Sequence, residues 1–349
     1  MVDLRGGLIG CGYFARNHLH AWGAVRGARL AAVCDRRIER ARAFAAEAME
    51  AAVYADPREM LERERLDFVD IATTPETHRP LVELAAARKA NVICQKPLAP
   101  SLEDAGAMVE ACRKAGVAFM VHENFRFQAP MRRLKEISTG LGEIFFARIS
   151  FRSGFDVYTP QPYLATDERF IIYDLGVHLL DLARFYVGEF ERLHCETRRV
   201  NPRIRAEDCA TILLRTPGGA ACVVDCSFGT KPVDEIFPQT LIHLEGAAGT
   251  ASLGPNYRIE LSPSIAATGG KLIVDAPPRR WPWSVPPGDA IQDSVVATQQ
   301  HWIDCLCDGK PPETSGEDNL KTLELTFGAY ESAAKGCVFR PGLGAGCLS

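Results

Sequence analysis

The chain has 349 residues and a formal net charge of −4 at pH 7. This length exceeds the usual size of one hydrophobic core, so we expect two domains. The slightly acidic balance offers no basic surface to a nucleic acid backbone or an anionic membrane, and it disfavours both classes of partner. A small-molecule partner fits this composition better.

The start of the chain and its cysteines indicate a cytoplasmic protein. The opening stretch MVDLRGGLIGCG lacks a basic start followed by an apolar stretch, and no run of about 18 uninterrupted apolar residues follows it. The 12 cysteines lie mostly in apolar runs, without C-x-x-C pairs or zinc-finger spacing. This pattern predicts neither a metal site nor a disulfide framework.

Residues 1–122 alternate short β-rich apolar runs with segments of helical periodicity. The predicted strands are 7–9, 29–34, 52–54, 67–71, 91–94 and 117–121. The predicted helices are 13–24, 37–49, 57–65, 77–89 and 101–115. This alternation is typical of a doubly wound α/β domain of the Rossmann type, in which helices cover both faces of a parallel sheet.

In residues 123–349 the pattern changes to longer alternating segments. They predict strands at 142–152, 193–200, 209–215, 219–228, 240–246 and 249–262, and helices at 172–187, 290–308 and 317–335. TPGG at 216–219 and GAAGT at 246–250 are predicted hairpin turns. We therefore predict a second domain with a largely antiparallel sheet.

The turn after the first predicted strand carries the pattern G-x-G-x-x-A at Gly10, Gly12 and Ala15. The first glycine allows a tight turn, the second lets a pyrophosphate approach the backbone, and the small third residue lets helix and strand pack closely. Tyr13 and Phe14 lie inside this pattern, where we expect further cofactor contacts. The alternative is a glycine-rich turn that binds no ligand.

Asp35 ends the second predicted strand, where a carboxylate can accept hydrogen bonds from the adenosine ribose of a dinucleotide. This residue favours NAD, because a carboxylate repels the 2′-phosphate of NADP. Arg36 and Arg37 follow directly and favour NADP. We predict NAD as the cofactor and keep NADP as the alternative.

The fourth and fifth predicted strands run into IATTPETH at 71–78 and VICQKPLAP at 92–100. Ligands bind at the carboxyl ends of parallel strands. The candidate cofactor-binding residues at these two ends are Thr73, Thr74, Pro75, His78, Gln95 and Lys96. A lysine at this edge can donate a hydrogen bond to a substrate hydroxyl or carbonyl. The alternatives are a surface histidine at His78 and a lysine that only covers the sheet edge at Lys96.

The predicted helix 172–187 carries Asp174 and His178 at positions i and i+4. That spacing places both side chains on one face of an α-helix, and a carboxylate beside an imidazole orients the ring for proton transfer. The alternative is an ordinary capping or surface pair.

Taken together, these motifs resemble the Gfo/Idh/MocA family of sugar and inositol dehydrogenases. The resemblance is carried by ATTPETH at 72–78, K-P at 96–97, N-x-R at 124–126, D-x-G-x-H at 174–178 and EGAAGT at 245–250. It spans nearly the whole chain and implies a Rossmann domain followed by an α/β domain with a large open, mostly antiparallel sheet, which often pairs subunits. Because such a sheet must cover an exposed apolar face, we expect a homo-oligomer, either a dimer or a tetramer.

The resemblance also implies that Lys96, Asp174 and His178 are the catalytic residues. His178 would remove the hydroxyl proton with Asp174 steadying it, Lys96 would polarise the same oxygen, and the carbon-bound hydrogen would leave as hydride to the nicotinamide. Gln95 departs from the glutamate that usually precedes Lys-Pro in this family, so the local support of Lys96 must differ here.

The segment 152–170 is long, aromatic and polar, and we expect it to act as a lid or specificity element. The predicted substrate-binding residues are Lys96, His122, Asn124, Arg126, Arg152, Tyr163, Arg169, Asp174 and His178. The arginines favour a sugar acid, because a guanidinium matches a carboxylate with two hydrogen bonds. The alternative is that some of these arginines pair with the nearby Asp156, Asp167 and Glu168.

We therefore expect an NAD(P)-dependent oxidoreductase that acts on a hydroxyl of a sugar, cyclitol or sugar acid. A close variant is an oxidoisomerase, in which the same bases then move the carbonyl. The alternatives are a relative that retains NAD and cleaves glycosides through a transient ketone, and a cofactor-binding regulatory protein without activity. NADH accumulates only in the dehydrogenase and oxidoisomerase readings.

Overall fold

The computed structural model describes residues 3–48, 51–263 and 271–342. The chain forms two compact units, one of Met1–Asn124 with Gln292–Lys321 and one of Phe125–Ile291 with Thr322–Ser349. The expected division after residue 122 lies close to the first break between these units. The segment Gln292–Lys321, which the sequence pattern assigned to the second domain, groups with the first unit.

The first part of the chain alternates strands and helices in the predicted order. Their bounds are β1 Leu4–Ile9, α1 Ala15–Trp22, β2 Ala28–Cys34, α2 Ile38–Glu47, β3 Ala52–Tyr54, α3 Pro57–Arg63, β4 Phe68–Ile71, α4 Pro75–Ala87, β5 Asn91–Gln95, α5 Leu102–Ala115 and β6 Phe119–His122.

These six strands form one parallel sheet in the order β3-β2-β1-β4-β5-β6. The chain winds outward in both directions from β1 and β4, which makes the gap after these two strands the topological switch point of the sheet. Ile9 of β1 pairs with Ile71 of β4, and the neighbouring Asp70 of β4 pairs with Ile93 of β5. The carboxyl ends of β1, β4 and β5 therefore lie along one edge, and the predicted doubly wound architecture is confirmed.

Burial on both faces explains why the strands of this sheet read as continuous apolar runs. In β4, Phe68, Val69 and Ile71 are completely buried, and the charged Asp70 between them is buried as well. The segment 292–321 also belongs to this unit. The hydroxyl of Thr314 in this segment donates to the carbonyl oxygen of Val121 in β6 at 2.7 Å.

The remainder of the chain carries a second set of elements. Their bounds are α6 Ala129–Ser138, β7 Ile144–Arg152, a π-helical segment Ile171–Gly176, α7 Val177–Val187, β8 Arg192–Arg198, β9 Cys209–Arg215, β10 Ala221–Ser227, β11 Leu241–Gly246, β12 Gly249–Leu253, β13 Arg258–Pro263, β14 Leu272–Asp275, α8 Asp289–Asp308 and α9 Gly316–Lys335.

Eight of these strands form the sheet of the second unit, in the order β14-β13-β12-β11-β7-β10-β9-β8. Only β7 and β10 pair in parallel among the described strands of this sheet, so the predicted large, mostly antiparallel sheet is confirmed. The hairpins at 216–219 and 246–250 are also present.

Three features of this unit differ from the sequence prediction. The single strand expected at 249–262 is two antiparallel strands, β12 and β13, because Asn256 and Tyr257 adopt positive φ values of 59° and 62° and reverse the chain. Helix α6 and strand β14 were not predicted. The helix expected from residue 172 begins with the π-helical segment.

Helix α7 fills the centre of this unit. Its residues Leu179, Leu180 and Leu182 are completely buried and share one core with Ile149 of β7 and Val224 of β10. An α-helix that is apolar on most of its surface must be enclosed, which accounts for the uninterrupted hydrophobicity of this stretch. Among the helices that the structure describes, none is both long enough and apolar enough to cross a membrane.

Gly6 provides a test of the packing in the first sheet. A Cβ atom at this position would come within 2.3 Å of the ring of Phe68, which is completely buried and lies 4.8 Å from the ring of Trp22. Because the ring has no room to withdraw, we expect Gly6→Ala to lower the free energy of unfolding by about 1–3 kcal/mol.

Gly106→Ala in α5 is the matched control. A Cβ atom there meets nothing within 4 Å, and alanine is the better helix former by roughly 0.5–1 kcal/mol. Urea unfolding of the two variants should therefore move the transition in opposite directions. A Gly6→Ala midpoint equal to that of the original chain would contradict the packing described for Phe68.

Candidate functional site

The glycine-rich turn between β1 and α1 is shaped by two different requirements. Gly10 has a φ of +99°, and a Cβ atom there would lie 2.6 Å from the carbonyl oxygen of Ala72, so only glycine fits. At Gly12 a Cβ atom would meet nothing within 4 Å, which leaves open space beside the backbone. Helix α1 begins after Phe14, and no side chain caps its first N–H groups. Uncapped N–H groups at a helix start attract phosphate oxygens.

Asp35 is held against the same turn by main-chain donors. One carboxylate oxygen accepts from the N–H of Cys11 at 2.9 Å and the other accepts from the N–H of Arg37 at 2.8 Å. Each carboxylate oxygen has a second acceptor position that can receive a ribose hydroxyl. Burial and the charge of Asp35 raise the pKa of the Cys11 thiol to about 12, so the thiol stays protonated. The open space at Gly12, the helix start and this carboxylate together fit a dinucleotide.

Three further cofactor candidates in this part of the chain differ in exposure. The side chain of Tyr13 is 66% exposed, and Arg36 and Arg37 are exposed beside Asp35. The arginines are therefore accessible at the position where a 2′-phosphate would be recognised. Asp35 favours NAD and Arg36 favours NADP, and which of the two effects is stronger stays a prediction.

The loop after β4 is fixed by a buried histidine. Thr73 precedes Thr74, which has extended backbone angles before Pro75 opens α4. His78 is completely buried, with Nδ1 at 2.9 Å from the carbonyl oxygen of Leu98 and Nε2 at 3.2 Å from that of Thr73. Burial lowers the pKa of His78 and keeps the ring neutral. The surface-histidine alternative is therefore wrong, and the ring joins the loops that follow β4 and β5.

Lys96 directly follows β5 and is half-buried. Its main-chain N–H donates to the side-chain oxygen of Gln95 at 2.7 Å, and the amide nitrogen of Gln95 lies 2.9 Å from Nε2 of His18. The other ring nitrogen of His18 lies 2.8 Å from the carboxylate of Asp70. Sequence reasoning missed His18 and Asp70. The available signal was an aspartate inside the otherwise apolar strand β4.

His122 and Asn124 both lie in the interior of the first unit. His122 ends β6 and is completely buried, with its ring centroid 4.3 Å from that of His18. Asn124 is 2% exposed and donates from its amide to the hydroxyl of Ser294 at 2.7 Å. These contacts favour a supporting role for both residues, and their predicted contact with substrate stays a prediction.

Asp174 and His178 lie where the π-helical segment meets α7. The N–H of Val177 bonds to the carbonyl oxygen of Ile172, five residues earlier, so the turn between Asp174 and His178 is π-helical. The predicted pairing of these two side chains stays a prediction. Asp174 is half-buried. His178 is 3% exposed, and its ring stacks face to face on Phe125 with centroids 3.9 Å apart and planes 3° apart.

Glu207 and Tyr330 anchor the start of this segment, and sequence reasoning missed both. One carboxylate oxygen of Glu207 accepts from the N–H groups of Phe170 and Ile172 at 3.2 and 3.3 Å. It also accepts from the hydroxyl of Tyr330 at 2.6 Å, and that hydroxyl oxygen accepts from the N–H of Tyr173 at 3.1 Å. Burial and the charge of Glu207 raise the pKa of Tyr330, which keeps its hydroxyl a donor.

Two of the predicted substrate-binding arginines pair with acidic residues of the chain. Arg126 is 6% exposed and donates from Nε to Asp181 at 2.7 Å, and a second guanidinium nitrogen bonds to the other carboxylate oxygen. Arg152 lies 3.2 Å from Asp225 and follows Phe151, whose ring is in the core beneath α7. Because side chains alternate along a strand, Arg152 lies on the face of the sheet opposite α7. These pairings favour structural roles.

The other two predicted contacts lie in more exposed positions. Tyr163 is 54% exposed and donates to Gln161 at 2.7 Å. Arg169 is exposed, and its guanidinium lies 5.1 Å from the ring centre of Phe327 and 5.6 Å from that of Tyr330. Arg152 is exposed as well, so three of the four aromatic and basic candidates in this unit can be reached from solvent.

Metal ligation finds no support in the described part of the chain. Residues 3–48, 51–263 and 271–342 contain no group of three or more His, Cys, Asp or Glu side chains that could hold a metal ion.

Two protein-family descriptions match most of the chain. "Oxidoreductase family, NAD-binding Rossmann fold" matches residues 4–123, and "GFO/IDH/MocA C-terminal domain" matches residues 131–252. The predicted Rossmann domain is thereby confirmed, and it is an NAD-binding one.

Individual relatives match nearly end to end. D-apiose dehydrogenase of Rhizobium rhizogenes is 50% identical over 338 residues, which cover 96% of this chain and 97% of that protein. Myo-inositol 2-dehydrogenase of Thermotoga maritima is 28% identical over 343 residues, which cover 94% of this chain and 96% of that protein. An oxidoreductase from Agrobacterium radiobacter, solved in complex with NAD+, L-tartaric acid and magnesium, superposes with a TM-score of 0.94 at 49% identity and covers 97% of this chain and 98% of its own.

The contacts of Asp35 predict its effect on cofactor choice. Serine at this position removes the negative charge and leaves at most one acceptor for the ribose, while Arg36 and Arg37 stay available to a 2′-phosphate. We expect Asp35→Ser to lower the ratio of kcat/KM for NAD to that for NADP by about tenfold or more, which corresponds to about 1.4 kcal/mol.

Asp56→Ser is the matched control, because Asp56 caps α3 by accepting from the N–H of Arg58 and lies outside the glycine-rich turn. Steady-state kinetics with both cofactors measure the two ratios. An unchanged ratio in Asp35→Ser would refute the assigned role of Asp35.

Proposed function

The chain belongs to the Gfo/Idh/MocA family of oxidoreductases, and from this premise we propose that it oxidises a hydroxyl group of a neutral sugar with NAD. Membership makes it an NAD(P)-dependent dehydrogenase that acts on CH–OH groups. The substrate class is our proposal. Its first candidate is D-apiose or a similar aldose, because a relative of that name is 50% identical along nearly the whole chain.

The observation that carries the proposal is the carboxyl edge of the first sheet. This edge presents the open backbone at Gly12 and the uncapped start of α1, and the half-buried Lys96 follows the next-but-one strand of the same sheet. Nucleotides bind at such switch points. A lysine at this edge is suited to meet the reacting end of a substrate there.

We assign the chemistry to three side chains. Lys96 donates a hydrogen bond to the substrate oxygen, His178 accepts the hydroxyl proton, and Asp174 orients His178. Phe125 supports this assignment, because its parallel stacking on His178 restricts the tilt of the imidazole. Bound NAD supplies the acceptor for the hydride that leaves the carbon. Convergence of the three side chains on one substrate is part of the proposal.

The two parts of the chain take different tasks in this proposal. Residues 1–122 bind the cofactor, and residues 123–349 contribute substrate contacts and self-association, with 292–321 lending structural support to the first unit. An oxidoisomerase would use the same residues, since oxidation acidifies the neighbouring carbon. A glycoside-cleaving enzyme with retained NAD, or a regulatory protein, would accumulate no NADH.

The arginine pairings favour a neutral sugar over a sugar acid. Arg126 and Arg152 are paired with Asp181 and Asp225, so neither offers an uncompensated positive charge to a substrate carboxylate. A sugar acid is the second candidate, favoured by Arg169 and by the L-tartaric acid in the related solved structure. Assays on an aldose, its polyol and its aldonate with NAD and NADP rank these substrates directly.

Removal of the proposed catalytic groups should abolish most turnover. We expect Lys96→Ala and His178→Ala each to lower kcat/KM by about 10²–10⁴-fold on the best substrate of the panel, while the Kd for NADH changes little. Stopped-flow kinetics and NADH fluorescence titration separate the two effects.

Lys114→Ala and His194→Ala are the matched controls. Lys114 is 71% exposed on α5 and His194 is 39% exposed on β8, so both variants should retain full activity. Full activity in Lys96→Ala or His178→Ala would sink the catalytic assignment.

We further propose that the face of the second sheet opposite α7 joins two copies of the chain. Leu213 on β9 and Val223 on β10 are register partners on this face, and Leu213 is 53% exposed. Apolar side chains exposed on an open sheet favour a symmetric contact with a second copy. Leu213→Glu should shift the protein toward monomer in sedimentation velocity. Val233→Glu, at a fully exposed loop position, should leave the assembly unchanged, and an unaltered Leu213→Glu assembly would exclude this face.

A further inference from the structure

A chain of hydrogen bonds runs through the first unit from a buried carboxylate to the main chain of Lys96. Asp70 and His18 are completely buried, and Gln95 is 7% exposed. One carboxylate oxygen of Asp70 lies 2.8 Å from Nδ1 of His18 and accepts from Nε1 of Trp22 at 2.7 Å. Nε2 of His18 lies 2.9 Å from the amide nitrogen of Gln95, whose oxygen accepts from the N–H of Lys96 at 2.7 Å.

The bonds of this chain determine where its protons lie. A main-chain N–H can only donate, so the atom of Gln95 that faces Lys96 must be the oxygen, and the NH₂ group must face His18. Nε2 of His18 then has to accept a hydrogen bond and carries no proton. The single ring proton sits on Nδ1 and is donated to Asp70. Each link therefore points in a defined direction.

We propose that Gln95, His18 and Asp70 are positioning residues that hold Lys96 for catalysis, and that the uncharged amide of Gln95 keeps His18 in its neutral Nδ1–H form. This inference rests on the proposed function, because it assigns Lys96 to the reaction. None of the hydrogen bonds in the chain uses the ammonium group of Lys96. The chain fixes the main chain from which that side chain extends.

A carboxylate at position 95 would disturb this order in a manner that depends on pH. An ionised glutamate would place an acceptor against the unprotonated Nε2 of His18, and two acceptors repel. Uptake of one proton, on the glutamate or on His18, restores a donor between them and leaves the bond to the N–H of Lys96 intact. The Gln95→Glu variant should therefore work in its protonated form and lose function as rising pH removes that proton.

Other titratable and polar groups surround this site and belong in the interpretation of the pH profile. The ring of His122 on β6 lies 4.3 Å from that of His18, and Lys96 follows β5. On β5, burial and the nearby Asp70 raise the pKa of the Cys94 thiol well above its usual value. From α8 the uncharged Gln299 approaches Asp70 at 3.4 Å. These groups are the same in the variant and in the original chain, so the ratio of their activities isolates position 95.

The first experiment measures kcat/KM for the best sugar of the panel across about pH 6 to about pH 9 in the full-length, NAD-saturated enzyme. We expect the ratio of Gln95→Glu to the original chain to fall by about tenfold or more over this range. Gln95→Met, which is uncharged but offers no acceptor to Lys96, should lower kcat by a factor that does not vary with pH. The Kd for NADH should stay nearly constant in both variants.

Gln300→Glu is the matched control, because Gln300 on α8 bonds to the main chain of Arg26 and takes no part in this chain of bonds. Its activity ratio should not vary with pH. A Gln95→Glu ratio that is constant across the pH range, or equal activity of Gln95→Met and the original chain, would overturn the positioning role.

A second measurement uses the original chain, so it does not depend on the folding of a variant. Nitrogen NMR of the original chain with labelled histidine reports the tautomer of His18, which we expect to stay Nδ1–H over the same pH range. An Nε2–H tautomer or an imidazolium at His18 would overturn the proton order. The NMR measurement tests the proton order even if no sugar of the panel is oxidised. Such a failure to oxidise any sugar would count against the proposed function alone.

Discussion

The buried carboxyl group of Asp70 constrains the centre of the first unit. A polar group in an apolar interior is costly unless it is hydrogen-bonded, and this one is completely buried within β4. Its donors come from α1, where His18 and Trp22 are four residues apart on the face turned toward the sheet. The helix that follows the glycine-rich turn is thus bound to the strand beside β1 by hydrogen bonds as well as by apolar contact. The same bonds reach the end of β5, so the fold and the position of Lys96 depend on one carboxylate.

The second unit uses buried charges in a comparable manner around its helix. Asp181 on α7 takes two hydrogen bonds from Arg126, and both side chains are buried. Breaking such a pair leaves an uncompensated charge, which typically destabilises a fold by about 3–5 kcal/mol. Glu207 supplies acceptors to the first N–H groups of the π-helical segment, which would otherwise lack partners inside the protein. Together these contacts fix both ends of the stretch that carries Asp174 and His178.

Much of this arrangement could be predicted from sequence because its determinants are local. The apolar runs and turn residues predict the six parallel strands, and the parallel order then places Thr73 and Lys96 at one edge without knowledge of any distance. Gly10 is partly a local requirement, since its own φ of +99° favours glycine. The close carbonyl oxygen of Ala72 adds a constraint from a part of the chain that is distant in sequence. The π-helical segment is a different case. Its sequence, IIYDLG, has the apolar spacing of an α-helix, and the bonds that favour the wider turn come from Glu207 and Tyr330, far along the chain.

The partners of the arginines could not be predicted for a related reason. Arg152 meets Asp225 because β7 and β10 pair in parallel with Ser150 opposite Asp225, and a change of register by one residue would turn one of the two side chains to the other face. Acidic residues closer in the sequence were the expected partners of these arginines, but one of them, Glu168, pairs with Arg205 instead. An arginine in a binding loop and an arginine in an ion pair have the same local sequence, so only the register of distant strands separates a ligand contact from a structural one.

The amide nitrogen of Gln95 distinguishes this site from one with glutamate, and neither composition nor motif spacing reveals its contact with His18. Glutamine and glutamate have nearly the same shape, and both can accept the N–H of Lys96. Only glutamine can also donate to Nε2 of His18 without taking up a proton. Because the amide of Gln95 is uncharged, it adds no charge beside the buried carboxyl group of Asp70. The departure from the family pattern at this position is therefore consistent with an intact site whose internal proton order is set by Gln95 itself.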